Sequence, residues 1–332
     1  MTSTTTHSIP KTISIAQGEK LDVERLQRGR VYRIWYSILH DTFDAPIRLP
    51  ILVARGTKPG KVLGITAAVH GDELNGIPVI QKLFNEIDLA QLSGTVVGVI
   101  ATNVSALHAH RRRFADGTDL NHVMPGIANG NTPQVFAYRF FHHIVKQFDY
   151  LLDLHTASRG RTNSYYIRAD MNDPTTARLA ELQNAQIIVH NPPNDGTLRG
   201  AASLNGIAAI TLEVGNPSTF QKGMIRSGLT GMHNALIWLG MTSGEIDAPE
   251  EPHVLCQSSY WLYTSTGGIL TVRPQLTERV TKGQLLAQQH NIFGDLVEEY
   301  YAPEDGIVIG RSINPVNRTG GRILHLGVPA TP

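Results

Sequence analysis

The sequence contains a single cysteine, Cys256, in 332 residues. One thiol cannot form an intramolecular disulfide or a cysteine-based zinc finger, so a metal site would have to use histidine and carboxylate ligands. No stretch approaches the roughly 18 consecutive apolar residues of a membrane-spanning helix, and residues 1–10 lack the basic flank and apolar segment of a secretory signal. We therefore expect a cytoplasmic protein without a membrane partner.

The sequence also lacks an excess of charge. It has 29 basic and 28 acidic residues, for a net charge of +1, so no overall field favours nucleic acid, and we expect no nucleic-acid partner. Apolar residues make up 41% and charged residues 17%, which excludes a disordered chain or a coiled coil. Self-association into a homo-oligomer remains compatible with this composition.

Hydrophobic periodicity indicates an α/β fold between residues 45 and 241. Apolar runs of strand length, such as Lys61 to Val69, alternate with amphipathic segments of helical spacing, such as Asn75 to Ile87. This alternation predicts a mostly parallel mixed sheet flanked by helices. Residues 1–44 are read as an N-terminal lead-in segment with one strand, Val31 to Leu39.

The composition changes after Met241. Residues 242–252 have the Ser, Gly, Pro and acidic content of a linker. Residues 253–332 contain short apolar segments separated by glycine-rich turns, a pattern typical of strands. We predict a small all-β C-terminal domain there, which is expected to shape access to a site or to support oligomerisation rather than to perform chemistry.

The first candidate site is the segment from His70 to Gly76, HGDELNG, where an apolar strand ends and a helix begins. Ligands of α/β proteins bind beyond the carboxyl ends of strands. His70 and Glu73 are spaced so that a tight turn can direct both at one cation. For an isolated motif of this kind, a carboxylate that merely caps the helix is the commoner explanation.

Two further strands end in residues that can carry chemistry. Asp153 and His155 lie two positions apart and so on one face of a strand, which makes Asp153 a candidate outer partner of the histidine or a substrate-side carboxylate. Glu213 lies inside an apolar strand, where a carboxylate needs a partner or a function. Alone, His155 is more often a core histidine, and Glu213 is as often a salt-bridged structural residue.

A basic triplet, residues 111–113, and the segment Asp119-Leu120-Asn121-His122 lie between these strand ends. Such a triplet is usually a solvated loop. Near a zinc site, however, an arginine has the geometry to hold a substrate carboxylate.

The ordered set HGDExNG, a basic stretch with DLNxxxPG, DLHT and LEVG resembles the succinylglutamate desuccinylase/aspartoacylase family. The resemblance covers residues 45–241, and the C-terminal segment is similar to that family's small β domain. It implies a zinc carboxypeptidase-like fold and one zinc ion per chain. The residues it assigns are zinc ligands His70, Glu73 and His155, the general acid/base Glu213, and substrate contacts Arg113, Asn121 and Arg199.

The sequence departs from the family pattern at His122, where the resemblance leads us to expect an arginine that helps clamp a substrate carboxylate. A neutral imidazole cannot make the bidentate contact of a guanidinium. His122 is therefore a candidate substrate-binding residue that changes specificity. Deacylases of other N-acyl amino acids, including the acetyl-diaminobutyrate type linked to ectoine breakdown, are relatives to consider.

The resemblance implies a zinc-dependent amidohydrolase that removes an acetyl-type or succinyl-type acyl group from a small N-acyl amino acid. Zinc would activate water and polarise the amide carbonyl, while Glu213 would accept the proton of the water and pass it to the leaving amine. A zinc carboxypeptidase acting on short peptides is the alternative, since it would use the same ligands. A non-catalytic binding protein is expected to lose a ligand or Glu213, and this sequence keeps all four residues.

Overall fold

The computed structural model describes residues 10–249 and 251–330. Its helices are α1 (Gly76–Glu86), α2 (Val104–His108), α3 (Thr132–His143), α4 (Pro174–Glu181), α5 (Leu198–Leu204) and α6 (Lys222–Trp238). Its first ten strands are β1 (Lys11–Ile15), β2 (Arg30–His40), β3 (Pro46–Arg55), β4 (Lys58–Ala67), β5 (Ser93–Val99), β6 (Tyr150–His155), β7 (Arg161–Asn163), β8 (Tyr165–Ala169), β9 (Ile187–His190) and β10 (Ala208–Val214). The C-terminal strands are β11 (Val254–Tyr263), β12 (Gly268–Val272), β13 (Arg279–Val280), β14 (Leu285–His290), β15 (Leu296–Tyr301), β16 (Gly306–Ser312), β17 (Val316–Asn317) and β18 (Arg322–Pro329).

A 14-stranded mixed sheet runs through the molecule in the order β1-β2-β3-β5-β4-β6-β10-β8-β9-β11-β18-β16-β13, with β7 paired to β16. The strands β5, β4, β6 and β10 at its centre are parallel to one another. Their carboxyl ends therefore meet at one edge, which is where ligands bind in such sheets. The predicted mostly parallel mixed sheet with flanking helices is confirmed.

Apolar side chains cover both faces of the central strands, as a parallel sheet requires. Helices α3 and α5 pack on one face, where Phe136 and Phe140 are buried. Helices α1, α4 and α6 pack on the other, where Ile80 and Met232 are buried. The predicted helix from Asn75 to Ile87 corresponds to α1, whose buried residues recur at the predicted spacing.

The N-terminal segment contributes more than the single expected strand. β2 pairs with β3, and β1 pairs in parallel with β2, so both strands extend the large sheet. β1 has only five residues, of which Ile13 and Ile15 alone are partly buried, and so short a segment was not identified from the sequence. Residues 1–9 of the predicted lead-in lie outside the described part of the chain.

The C-terminal segment is all-β, as predicted, and forms a separate antiparallel sheet in the order β15-β14-β12-β17. Its other strands join the large sheet, because β11 pairs with β9 and β16 pairs with β7. The boundaries at 44/45, 241/242 and 252/253 stay predictions. Within the described residues, no helix is both long and apolar enough to cross a membrane.

Candidate active site

The three strand ends that carry candidate residues are neighbours in the sheet. β6 lies between β4 and β10, and Glu213 is the register partner of His155. His70 follows the last residue of β4 by three positions. Parallel strands thus bring together residues that are more than 140 positions apart in the chain.

The turn after β4 directs His70 and Glu73 toward β6. Ala68 has a positive φ of 50°, an uncommon conformation for a non-glycine residue that redirects the chain. Gly71 packs so closely against α2 that a Cβ atom would lie 2.0 Å from the carbonyl carbon of Ala106. Asn103 Nδ2 donates to the carbonyl of Val69 at 3.2 Å, which ties the end of this strand to the start of α2. The glycine of the HGDE motif is therefore required by packing.

His70, Glu73 and His155 form one buried cluster, as predicted, in which all three ligand atoms lie within 4.8 Å of one another. His70 Nδ1 is 2.9 Å from Glu73 Oε1, and His155 Nδ1 is 2.8 Å from Glu73 Oε2. The two Nδ1 atoms are 3.2 Å apart. Tetrahedral zinc with bonds of about 2.05 Å separates its ligands by about 3.3 Å, so this donor set fits a zinc ion.

The outward nitrogen of each histidine faces a carboxylate. Asp153 Oδ2 lies 2.8 Å from His155 Nε2, and Asp119 Oδ1 lies 3.0 Å from His70 Nε2. Thr66 donates to the other oxygen of Asp153 at 2.6 Å. Such pairing fixes the ring orientation and leaves Nδ1 free for a cation. Asp153 therefore contacts His155 directly, and its role as an outer partner or a substrate-side carboxylate stays a prediction. Asp119 belongs to the DLN motif but had no assigned role.

The electrostatics of the cluster follow from its burial and its charges. Burial favours the neutral imidazole, but the charge of Glu73 and the hydrogen bonds to Asp119 and Glu73 outweigh it and raise the pKa of His70. The pKa of Glu73 falls despite burial, because both histidines contact its carboxylate. The buried carboxylate of Glu73 thus stays ionised only because positive groups surround it. A bound cation would provide such a positive charge.

Glu213 lies beside this cluster at the end of β10. Its Oε2 accepts from Asn163 Nδ2 at 3.1 Å, and its Oε1 is 4.0 Å from Nε of Arg168. Burial raises the pKa of Glu213, and the nearby charge of Glu73 adds to that shift against the opposing charges of His155 and Arg168. A carboxylate with a raised pKa beside a cation site suits proton transfer.

Asn75, the asparagine of HGDExNG, links the turn that carries His70 and Glu73 to the strand that carries Glu213. Its Nδ2 donates to the carbonyl of Val214 at 2.7 Å, and its Oδ1 accepts from the backbone of Gln221 at 2.9 Å. The buried amide therefore joins the start of α1 to the residue that follows Glu213.

Arg112 is the member of the basic triplet that reaches the cluster. Its guanidinium donates to Glu73 Oε1 at 2.9 Å and to Asp119 Oδ2 at 3.1 Å, and it also contacts Ser158. The sequence pattern favoured Arg113, which is exposed and donates to the carbonyl of Gly117. Both arginines line the cavity over the cluster. Adjacent identical residues give no sequence signal of which one turns inward.

The other predicted substrate contacts also line this cavity, with different partners. Asn121 Oδ1 accepts from the backbone of Leu198 at 2.8 Å, at the start of α5. Arg199 is buried and donates to the carbonyls of Asn191 and Pro192 and to Asp195. His122 is exposed at the cavity rim. Their assignment as substrate contacts stays a prediction.

The cavity has a volume of about 600 Å³, which is within the range of small-molecule sites. Its far wall comes from the C-terminal strands, through Trp261, Arg322 and His325. Sequence reasoning missed these residues because their proximity depends on the pairing of β11 with β9. Asn163 and Arg168 were missed for a similar reason, since no motif marks them.

A model of the succinylglutamate desuccinylase/aspartoacylase catalytic domain matches residues 59–239. The chain belongs to this family. The match spans more than half of the sequence and contains His70, Glu73, His155 and Glu213. The resemblance drawn from the ordered motifs is confirmed.

Individual relatives agree with the family and the fold. An N-alpha-acetyl-L-2,4-diaminobutyric acid deacetylase from Halomonas elongata is 26% identical over 279 residues, which are 80% of this chain and 81% of that protein. The ectoine utilization protein EutE (DoeB) from Ruegeria pomeroyi has a TM-score of 0.82 at 21% identity, covering 92% of this chain and 98% of that one. A succinylglutamate desuccinylase/aspartoacylase from Rhodobacter sphaeroides has a TM-score of 0.82 at 20% identity, with the same coverage.

Proposed function

We propose that this member of the succinylglutamate desuccinylase/aspartoacylase family is a zinc-dependent amidohydrolase that deacylates a small N-acyl amino acid. The observation that carries the proposal is the buried cluster of His70, Glu73 and His155 with Glu213 beside it. Two imidazoles and one carboxylate are the protein ligands of many hydrolytic zinc sites, which keep a further position for water or substrate. The proposed zinc content is one ion per chain.

The donor set and its surroundings support zinc in particular. A bound zinc ion supplies Lewis-acid polarisation of the amide carbonyl and acidification of water. Asp153 and Asp119 hold the two imidazoles so that both Nδ1 atoms face the same point. Arg112 contacts Glu73 and would keep that carboxylate ionised and oriented.

Glu213 is proposed to move the proton of the reaction. It would accept a proton from the attacking water and return it to the amine nitrogen when the amide bond breaks, giving a carboxylic acid and an amine as products. Asn163 Nδ2 donates to Glu213 Oε2, and Arg168 lies 4.0 Å from Oε1, so both contacts would hold the carboxylate in place. The raised pKa of Glu213 favours proton uptake during the reaction.

The substrate class is proposed from three observations. The cavity volume of about 600 Å³ suits a small molecule. Arginines are its most frequent charged residues, which favours a substrate with a carboxylate. The Halomonas elongata relative is by its name a deacetylase of N-alpha-acetyl-L-2,4-diaminobutyric acid, so an acetyl group on a small amino acid is the first substrate to test.

A substrate panel tests the proposed function. We expect release of acetate from Nα-acetyl-L-2,4-diaminobutyrate, measured alongside N-acetyl-L-aspartate, N-succinyl-L-glutamate and an unacylated dipeptide as the peptidase control. Hydrolysis of at least one acylated amino acid with a kcat/KM well above that for the dipeptide supports the deacylase. Preference for the dipeptide would replace it with the carboxypeptidase alternative.

A further inference from the structure

Six arginines line the cavity, and four of them already have partners. Arg112 pairs with Glu73 and Asp119, and Arg199 pairs with Asp195. Arg168 contacts Tyr166 and faces Glu213, while Arg113 donates to a backbone carbonyl. The remaining two are Arg161 and Arg322.

Arg161 and Arg322 both contact the ring of Trp261. Their guanidinium carbons lie 5.6 Å and 5.1 Å from the centre of the Trp261 ring. Across residues 10–249 and 251–330, neither guanidinium forms a salt bridge or a side-chain hydrogen bond. Contact with an aromatic ring holds a guanidinium in place but leaves its N–H donors free for a ligand.

The ring itself is fixed by its neighbours. Trp261 is the register partner of His325, and the two rings stack at 5.1 Å with an interplanar angle of 10°. His325 Nε2 lies 2.9 Å from the hydroxyl of Ser259. Burial, together with the charges of Arg168 and Arg322, lowers the pKa of His325 far below its usual range. The imidazole is therefore neutral at physiological pH. The positive charge next to Trp261 comes from the two arginines and not from His325.

Among the residues that the structure describes, no carboxylate pairs with either guanidinium at this wall. Burial and the charge of Arg112 lower the pKa of Arg322, yet an arginine remains protonated at any physiological pH. Two charged guanidiniums held on one ring at the cavity wall, with Arg161 partly buried and Arg322 exposed, make a site that an anion would complete.

We propose that Arg161 and Arg322, held by Trp261, form the subsite that binds the α-carboxylate of the amino-acid portion of the substrate. This inference rests on the proposed function. The scissile amide must lie at the His70, Glu73 and His155 cluster, and an N-acetyl amino acid carries its α-carboxylate on the amine side of that bond. Arg161 of β7 and Arg322 of β18 line the same cavity as that cluster, and Trp261 holds both guanidiniums there.

The test compares a carboxylate with its neutral amide. The ligands are Nα-acetyl-L-2,4-diaminobutyrate and its α-carboxamide, and the variants are Arg161→Met and Arg322→Met, which keep an apolar stem and lose the charge. We expect each variant to lower kcat/KM for the carboxylate by about 10- to 100-fold, mainly through KM, because a charge-assisted contact is removed. The carboxamide should be hydrolysed as by the wild type, so the preference for the carboxylate collapses.

Two further variants distinguish loss of carboxylate binding from a general loss of activity. Arg322→Lys keeps the charge without the bidentate geometry and should restore part of the carboxylate preference. Arg318→Met removes an exposed arginine outside the cavity and should leave both substrates unaffected. Variants at Arg161 and Arg322 that retain the wild-type preference would overturn the subsite.

Calorimetric titration of the same two ligands distinguishes the subsite from the proposed function. If the wild type hydrolyses no acylated amino acid of the panel but binds the carboxylate over the amide, and both methionine variants lose that selectivity, the subsite stands and the hydrolase assignment fails. If hydrolysis occurs while the variants keep the selectivity, the subsite fails and the hydrolase stands. A wild type that binds neither ligand and hydrolyses no acylated amino acid of the panel overturns both.

Discussion

Glu213→Gln is expected to lower kcat by about 10² to 10⁴-fold, the usual contribution of general acid–base catalysis. Glutamine keeps the shape of the side chain and its contact with Asn163, but it cannot accept a proton from water. KM should change little, because the proposed substrate contacts lie elsewhere in the cavity. Zinc content should match that of the wild type. The measurement is steady-state kinetics on the best substrate of the panel, with metal analysis of the same samples.

Glu86→Gln is the matched control, since Glu86 is an exposed residue on α1 that pairs with His233 away from the cavity. It should keep wild-type kinetics. Loss of zinc in Glu213→Gln would make Glu213 a metal ligand. Wild-type turnover in that variant would require another residue to move the proton.

His155→Ala is expected to abolish both zinc retention and hydrolysis. The change removes one of three protein ligands and leaves the carboxylates of Asp153 and Glu73 buried without their shared partner. His70→Ala should have the same effect, because its Nδ1 faces the same point. Metal analysis after dialysis at low free zinc, together with the deacylation assay, measures both losses.

His233→Ala provides the control, since this histidine lies half-exposed on α6. It should retain about one zinc ion per chain, as a site with three protein ligands implies. Thermal unfolding of each variant shows whether the protein still folds. A folded His155→Ala protein with full zinc occupancy would contradict the assignment of the ligands.

The sequence was sufficient to predict the inner part of the site. His155 and Glu213 lie at the ends of apolar strands and His70 lies just beyond one, and parallel strands bring their carboxyl ends to one edge. That rule places the three residues at one edge of the sheet, and the adjacency of β4, β6 and β10 then brings them together. A second rule accounts for Asp153, because alternate residues of a strand share a face and Asp153 lies two positions before His155.

The outer wall could not be predicted in this way. Trp261 and Arg322 reach the cavity because β11 pairs with β9 and β18 pairs with β11. The sequence suggested a linker and an independent domain, since residues 242–252 resemble a spacer. Strand pairing between distant segments depends on tertiary packing, which local periodicity does not encode. The pattern also could not decide that Arg112 contacts Glu73 while Arg113 is exposed, because the two residues are adjacent and identical.

Metal dependence of deacylation tests the central claim most directly. The wild-type protein is stripped of metal with a chelator, and acetate release from Nα-acetyl-L-2,4-diaminobutyrate is measured before stripping, after it, and during titration with zinc. The account predicts that activity is lost on stripping and returns in proportion to added zinc up to about one equivalent per chain. Undiminished activity in protein shown to be metal-free would contradict it.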